Sequence, residues 1–104
     1  MEVRNTGENS KLQYKIDAVL TSLHKRGLTY TVQVHSDRAA TVTVFVSGRE
    51  GIGQINLCIL YNELTMNWEA HTNNLIYVMG SSFSPLPGLI RKRIATVKAA
   101  IRKY

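Results

Sequence analysis

Between Leu28 and Ala70, apolar residues recur at every second position in successive segments joined by connections of only a few residues. Leu28, Tyr30, Val32 and Val34 share one side of the first segment, and Val42, Val44 and Val46 one side of the second. The third has Ile55, Leu57, Ile59 and Tyr61, and the fourth Leu64, Met66, Trp68 and Ala70. A period of two is that of a half-buried strand. Parallel neighbours need a crossover of about a dozen residues or more, so strands joined this closely pair antiparallel with the next in line. A meander of four strands follows, and Leu75 to Met79, after the turn signal Thr72-Asn73-Asn74, adds a short fifth strand or an extended lead-in.

A sheet with one apolar face needs a cover, and the two ends of the chain supply it. Leu12, Ile16, Val19, Leu20 and Leu23 fall at helical spacing, with Asn9 or Ser10 as N-cap and Gly27 as the stop. Leu86, Ile90, Ile94, Val97 and Ile101 form a second stripe, opened by Pro85 and Pro87, where a missing N–H costs little. The expected architecture is α+β: an antiparallel meander sheet with the N-terminal and C-terminal helices packed on one face. Residues 10–104 form the single domain and residues 1–9 a flexible leader. The hydrophobic content of 44% is that of a globular chain. Cys58 is the only cysteine, which excludes an internal disulfide and a cysteine-based zinc site; within its apolar run it reads as a small buried hydrophobe.

The net charge of +6 is unevenly placed. Residues 1–84 hold seven basic and seven acidic side chains, whereas residues 85–104 hold Arg91, Lys92, Arg93, Lys98, Arg102 and Lys103 and no acid. On a helical wheel Arg91, Lys98 and Arg102 cluster, with Lys92 and Lys103 beside them and Arg93 at the edge of the apolar stripe. Arg102 and Lys103 can be explained by the helix macrodipole, which favours cations in the last turn. The lack of any acid across the segment is not so explained, because a merely solvated helix interleaves glutamate for i, i+4 support. The five residues Arg91, Lys92, Lys98, Arg102 and Lys103 are therefore the candidate anion-binding set, and the expected partner is an acidic lipid, an acidic protein surface or a nucleic acid. No signal peptide or membrane-spanning stretch is recognisable, which makes the cytoplasm the expected compartment.

Other motifs carry less. Gly48, Gly51 and Gly53 are followed by a strand rather than a helix, which suits a hairpin and not a phosphate loop. His35 with Asp37 and Glu69 with His71 each sit two residues apart at strand ends; a metal or acid/base site would require the two pairs to adjoin. His24 suits the end of the first helix. No nucleophile elbow or paired-carboxylate spacing is present, so no cofactor, metal, small-molecule substrate or catalytic role is expected. Trp68 is in phase with the core, while Phe45 and Tyr77 could face away from the helices, where an aromatic ring stacks on bases.

The order helix, four or five antiparallel strands, helix, with Leu20-x-x-Leu23-x-x-x-Gly27-x-x-Tyr30, Thr41 to Val46, Ile55 to Leu60, Leu64 to Trp68 and the basic last helix, resembles the kinase-associated 1 domain family. That resemblance covers residues 12–104 in element order and apolar phase. It implies binding of acidic phospholipids through basic surface residues, here Arg91, Lys92, Lys98, Arg102 and Lys103. The double-stranded RNA-binding domain is similar in its helix, three strands and Lys-rich helix, with Tyr30-Thr31-Val32 and Phe45 in the first strands. The leading expectation is a non-enzymatic module whose last helix contacts an anionic surface. The alternatives are a nucleic-acid binder using the same helix, and a small inhibitor of a protein partner, for instance a viral one.

Overall fold

The computed structural model describes the backbone of residues 8–25, 27–48 and 51–103, and the side chains of residues 11–25, 27–46 and 53–96. The element order is α1 (Glu8–Lys25), β1 (Thr29–Ser36), β2 (Ala39–Gly48), β3 (Gly51–Asn62), β4 (Asn67–Thr72), β5 (Leu75–Gly80) and α2 (Leu86–Lys103). The strands form one antiparallel sheet in the order β1-β2-β3-β4-β5, so the expected meander is present and Leu75–Gly80 is a full fifth strand. The proposed leader lies largely outside the described residues; helix has begun by Glu8, ahead of the expected cap at Asn9 or Ser10, and an acid in a first turn is favoured by the helix dipole.

The alternating sets land as expected in the centre of the sheet. Val42, Val44 and Val46 of β2 and Ile55, Leu57 and Ile59 of β3 are buried, with Val42 opposite Leu57 and Val44 opposite Ile55. They meet Leu12, Ile16, Leu20 and Leu23 of α1 and Leu86 and Ile90 of α2, so both helices lie on the same face. α1 packs on β1, and α2 crosses β2 and β3. The helix axes lie farther from β4 and β5, where Ala70 and Met79 still join the core.

Local geometry explains each boundary. Gly27, at φ 81°, ends α1 in a Schellman arrangement: its N–H donates to the His24 carbonyl (3.0 Å) and the Leu28 N–H to the Leu23 carbonyl (3.2 Å). A Cβ at Gly27 would meet nothing within 4 Å, so the cost of alanine there is conformational alone. Gly27→Ala is expected to lower the unfolding free energy by about 1–2 kcal/mol in a urea titration, and Gly27→Asn by less. Asn73 (φ 47°) and Asn74 (φ 66°) make the two-residue turn between β4 and β5, with both central residues left-handed as a type I′ hairpin requires. α2 opens with the Leu86 N–H donating to the Phe83 carbonyl (2.9 Å) and the Leu89 N–H to the Pro85 carbonyl (3.2 Å), which places Pro87 in the first turn.

Two expectations about the core need correction. Leu64 (95% exposed) and Met66 (70%) do not belong to a strand. The Asn62 carboxamide oxygen accepts from the N–H groups of Leu64 (3.0 Å) and Thr65 (3.3 Å), and the Met66 N–H donates to the Asn62 carbonyl (2.7 Å). This side-chain cap competes with the ladder and winds residues 63–66 into a turn, so β4 begins only at Asn67. Cys58 is exposed rather than buried. It lies between Leu57 and Ile59, which point into the core, and the pleat turns it to the opposite face.

Candidate anion-binding face

Stacking both helices on one side of the sheet separates charge in space. α1 and α2 together carry nine lysine and arginine residues against two acids, Glu8 and Asp17. The described residues of the strands and their turns hold one basic residue, Arg38, against three acids, Asp37, Glu63 and Glu69. The +6 of the chain is thus a property of its helix layer.

Within that layer Lys11, Lys15 and Lys25 of α1 and Arg91 and Lys92 of α2 are exposed on the outside. Ala95 and Thr96 share that outer surface of α2. Arg91 folds back over the first turn of its helix, where its Nη2 lies 3.9 Å from the position a Cβ on Gly88 would take. Helical side chains lean toward the N-terminus, which puts this cation at the positive end of the macrodipole. The first turn of α2 contains no acid to compensate. Arg93, at the edge of the apolar stripe as expected, is half-buried, and its Nε is buried without a hydrogen-bond partner. An unsatisfied buried donor costs about 1–3 kcal/mol. Lys98, Arg102 and Lys103 lie in α2, but their side chains fall outside the described residues.

Among the described residues nothing covers the opposite face of the sheet. Thr31, Thr43 and Asn56 form one row across β1, β2 and β3, and Gln33, Thr41, Cys58, His71 and Ile76 form another across all five strands. The Thr43 hydroxyl donates to Asn56 Oδ1 (3.0 Å), which also accepts from Gln54 Nε2 (3.2 Å). Phe45, 36% exposed, stands on this face between Thr29 and Gln54. Tyr77 does not: it pairs with buried Ala70 and packs against the core beneath the helices. The two candidate stacking residues are therefore on opposite faces. The two-residue turn pairs Thr72 with Leu75 and Ala70 with Tyr77, so Ile76 and Val78, not Tyr77, look outward.

The two histidine pairs do not meet. His35 Nε2 shares a hydrogen bond with Thr41 Oγ1 (2.8 Å), while Asp37 turns to the helix side and lines a groove beside α1. His71 sits three strands away, about 14 Å at the usual strand spacing. Its Nε2–H donates to Glu69 Oε1 (2.9 Å), and Asn62 Nδ2 donates to Glu69 Oε2 (2.9 Å). Among the described residues no three His, Cys, Asp or Glu side chains converge as a metal site would require.

The Glu69 network has a pH signature. Hydrogen bonds from Asn62 and then from His71 hold its carboxyl below the ordinary value of 4.5. A carboxyl whose folded pKa is depressed adds stability that is complete above the ordinary value and is lost as the pH falls through the depressed one. Glu69→Gln is therefore expected to reduce stability at neutral pH and to flatten the loss on acidification below 4.5, as read by unfolding midpoints across an acid series. Asp17 works the other way, since burial raises its carboxyl above 3.8 despite a hydrogen bond from Gln13. Glu69→Gln leaves that opposite slope in place.

Comparison with known protein families, with curated proteins and with solved structures finds no match to this chain. Among the described residues no helix is long and apolar enough to cross a membrane.

Proposed function

We propose that this protein is a non-enzymatic module that docks its helix layer on an anionic phospholipid surface by charge neutralisation. The observation that carries this reading is the segregation of charge: nine basic residues against two acids on the helices, over a strand layer of the opposite sign. Each lysine or arginine held near an anionic bilayer contributes about 1 kcal/mol, so a handful suffices for reversible binding. Arg91 stands at the positive end of its own helix, with no acid in that first turn and no ion pair among the described residues. Tyr14, 75% exposed on α1 between Lys11 and Lys15, adds an amphipathic ring of the kind that settles at headgroup level. The same direction follows from the resemblance to the kinase-associated 1 domain family in element order and apolar phase.

Use of the same face for nucleic acid is weakened by the position of Phe45, since a strand whose phosphates lie on α2 cannot also stack its bases on the far side of the sheet. Retention on phosphatidylserine liposomes, phosphatidylcholine liposomes, heparin, duplex DNA and duplex RNA across a salt series tests the proposal. Binding to the anionic liposomes alone, falling with salt, is expected. Preference for DNA or RNA replaces it with the nucleic-acid reading, and binding to none with a protein partner.

A further inference from the structure

A groove of about 600 Å³ opens at one end of the sheet, over Trp68 and between α1 and the connection from β5 to α2. At that end β1, β3 and β5 finish and β2 and β4 begin, and the N-terminal half of α1 crosses above them. One wall is α1, from Lys11 to Val19, and the other is the connection Ser81 to Ser84 that leads into α2. The floor is aromatic. Trp68 packs edge-on against Tyr61 at a centroid distance of 5.2 Å and tilted against Phe83 at 4.8 Å, yet it stays only half-buried because its remaining surface faces the groove.

The rim differs in character. Lys11 and Lys15, one helical turn apart on α1, stand opposite the hydroxyls of Ser81, Ser82 and Ser84. Among the described residues Asp37 is the acid on this rim, so two ammonium groups face one carboxylate and their balance is positive. A concave apolar site of about 300–1,000 Å³ with a few polar groups at its margin is the usual form of a small-ligand site.

We propose that this groove binds a single-chain amphiphile with an anionic head, its chain on Trp68 and Phe83 and its head among Lys11, Lys15 and the serine hydroxyls. The inference rests on the phospholipid-surface reading in naming a lipid-like ligand, but it is tested with monomeric ligand and no bilayer.

Trp68 is the only tryptophan of the chain, so intrinsic fluorescence reports on the groove directly. The full chain is titrated with lysophosphatidic acid, palmitate, lysophosphatidylcholine and inorganic phosphate, each below its micelle-forming concentration. A saturable shift of the Trp68 emission is expected with lysophosphatidic acid or palmitate, the stronger response distinguishing a phosphate from a carboxylate head. Lysophosphatidylcholine is expected to bind about tenfold more weakly, and phosphate alone to give no shift. Lys11→Gln with Lys15→Gln should erase that preference. Ala18→Phe, an exposed position on the groove wall, should abolish the shift while leaving the unfolding midpoint and the salt-sensitive retention on anionic liposomes unchanged. No saturable response to either anionic amphiphile, or an unchanged response in Ala18→Phe, overturns the site; equal binding of lysophosphatidylcholine overturns the assignment of the head. An Arg91→Gln, Lys92→Gln, Lys98→Gln chain that keeps the fluorescence response but loses the liposomes separates this site from the docking face.

Discussion

An Ile90→Ala chain is expected to lose about 2–5 kcal/mol of stability in a denaturant titration, enough to unfold a marginal domain of this size at ambient temperature. Ile90 is fully buried where α2 crosses β2 and β3, and the loss combines the transfer of its side chain with the cavity left behind. Its neighbour two residues on supplies the control: Lys92 is exposed, so Lys92→Ala should stay within about 0.5 kcal/mol of the parent. A small effect at Ile90 would mean that α2 is not packed on the sheet, and the two-layer charge separation would go with it. The experiment therefore tests the scaffold on which the basic face depends.

The second large effect concerns that face itself. Changing Arg91, Lys92 and Lys98 together to glutamine should weaken association with phosphatidylserine liposomes roughly a hundredfold at physiological salt, since each cation contributes about 1 kcal/mol at an anionic surface. Stability should change little, because Arg91 and Lys92 are exposed and take part in no described ion pair. Loss of binding with the fold intact separates function from scaffold. The Arg38–Glu63 pair, 2.7 Å apart but with both side chains largely exposed on the strand layer, gives a comparison: breaking it should leave the unfolding midpoint almost unchanged and liposome binding unaltered.

How far the sequence disclosed this molecule follows from the range of the interactions involved. The sheet order was legible because alternation sets the face and short connections leave no other topology, as Val42, Val44 and Val46 of β2 and Ile55, Leu57 and Ile59 of β3 show by their burial. Leu64 and Met66 misled because their alternation is genuine while the Asn62 side chain overrides it, and a cap of that kind is invisible to periodicity. Cys58 misled because an apolar run hides which of its members face outward; its phase relative to Leu57 and Ile59 held the answer. The side of Tyr77 is set by the two-residue turn at Asn73 and Asn74, which pairs it with buried Ala70; reading Thr72 as part of the turn hid that register. The acid-free run of cations in the last helix could be read from the sequence, and Arg91 and Lys92 are exposed there while the side chains of Lys98, Arg102 and Lys103 lie outside the described residues; the addition of Lys11 and Lys15 to the same layer, and the groove over Trp68, required α1 and residues 81–84 to be brought together by the fold.

The central claim is that the helix layer, and not the open sheet, meets the anionic surface. The single native cysteine stands on the sheet side, so a polarity-sensitive thiol dye on Cys58 reports one face. The same dye on an Ala95→Cys, Cys58→Ser chain reports the outer face of α2 between Arg91 and Lys92. On addition of phosphatidylserine liposomes, the dye at position 95 should shift to a less polar environment, reversibly with salt, while the dye on Cys58 should not respond. A shift at Cys58 with none at position 95 would contradict the account.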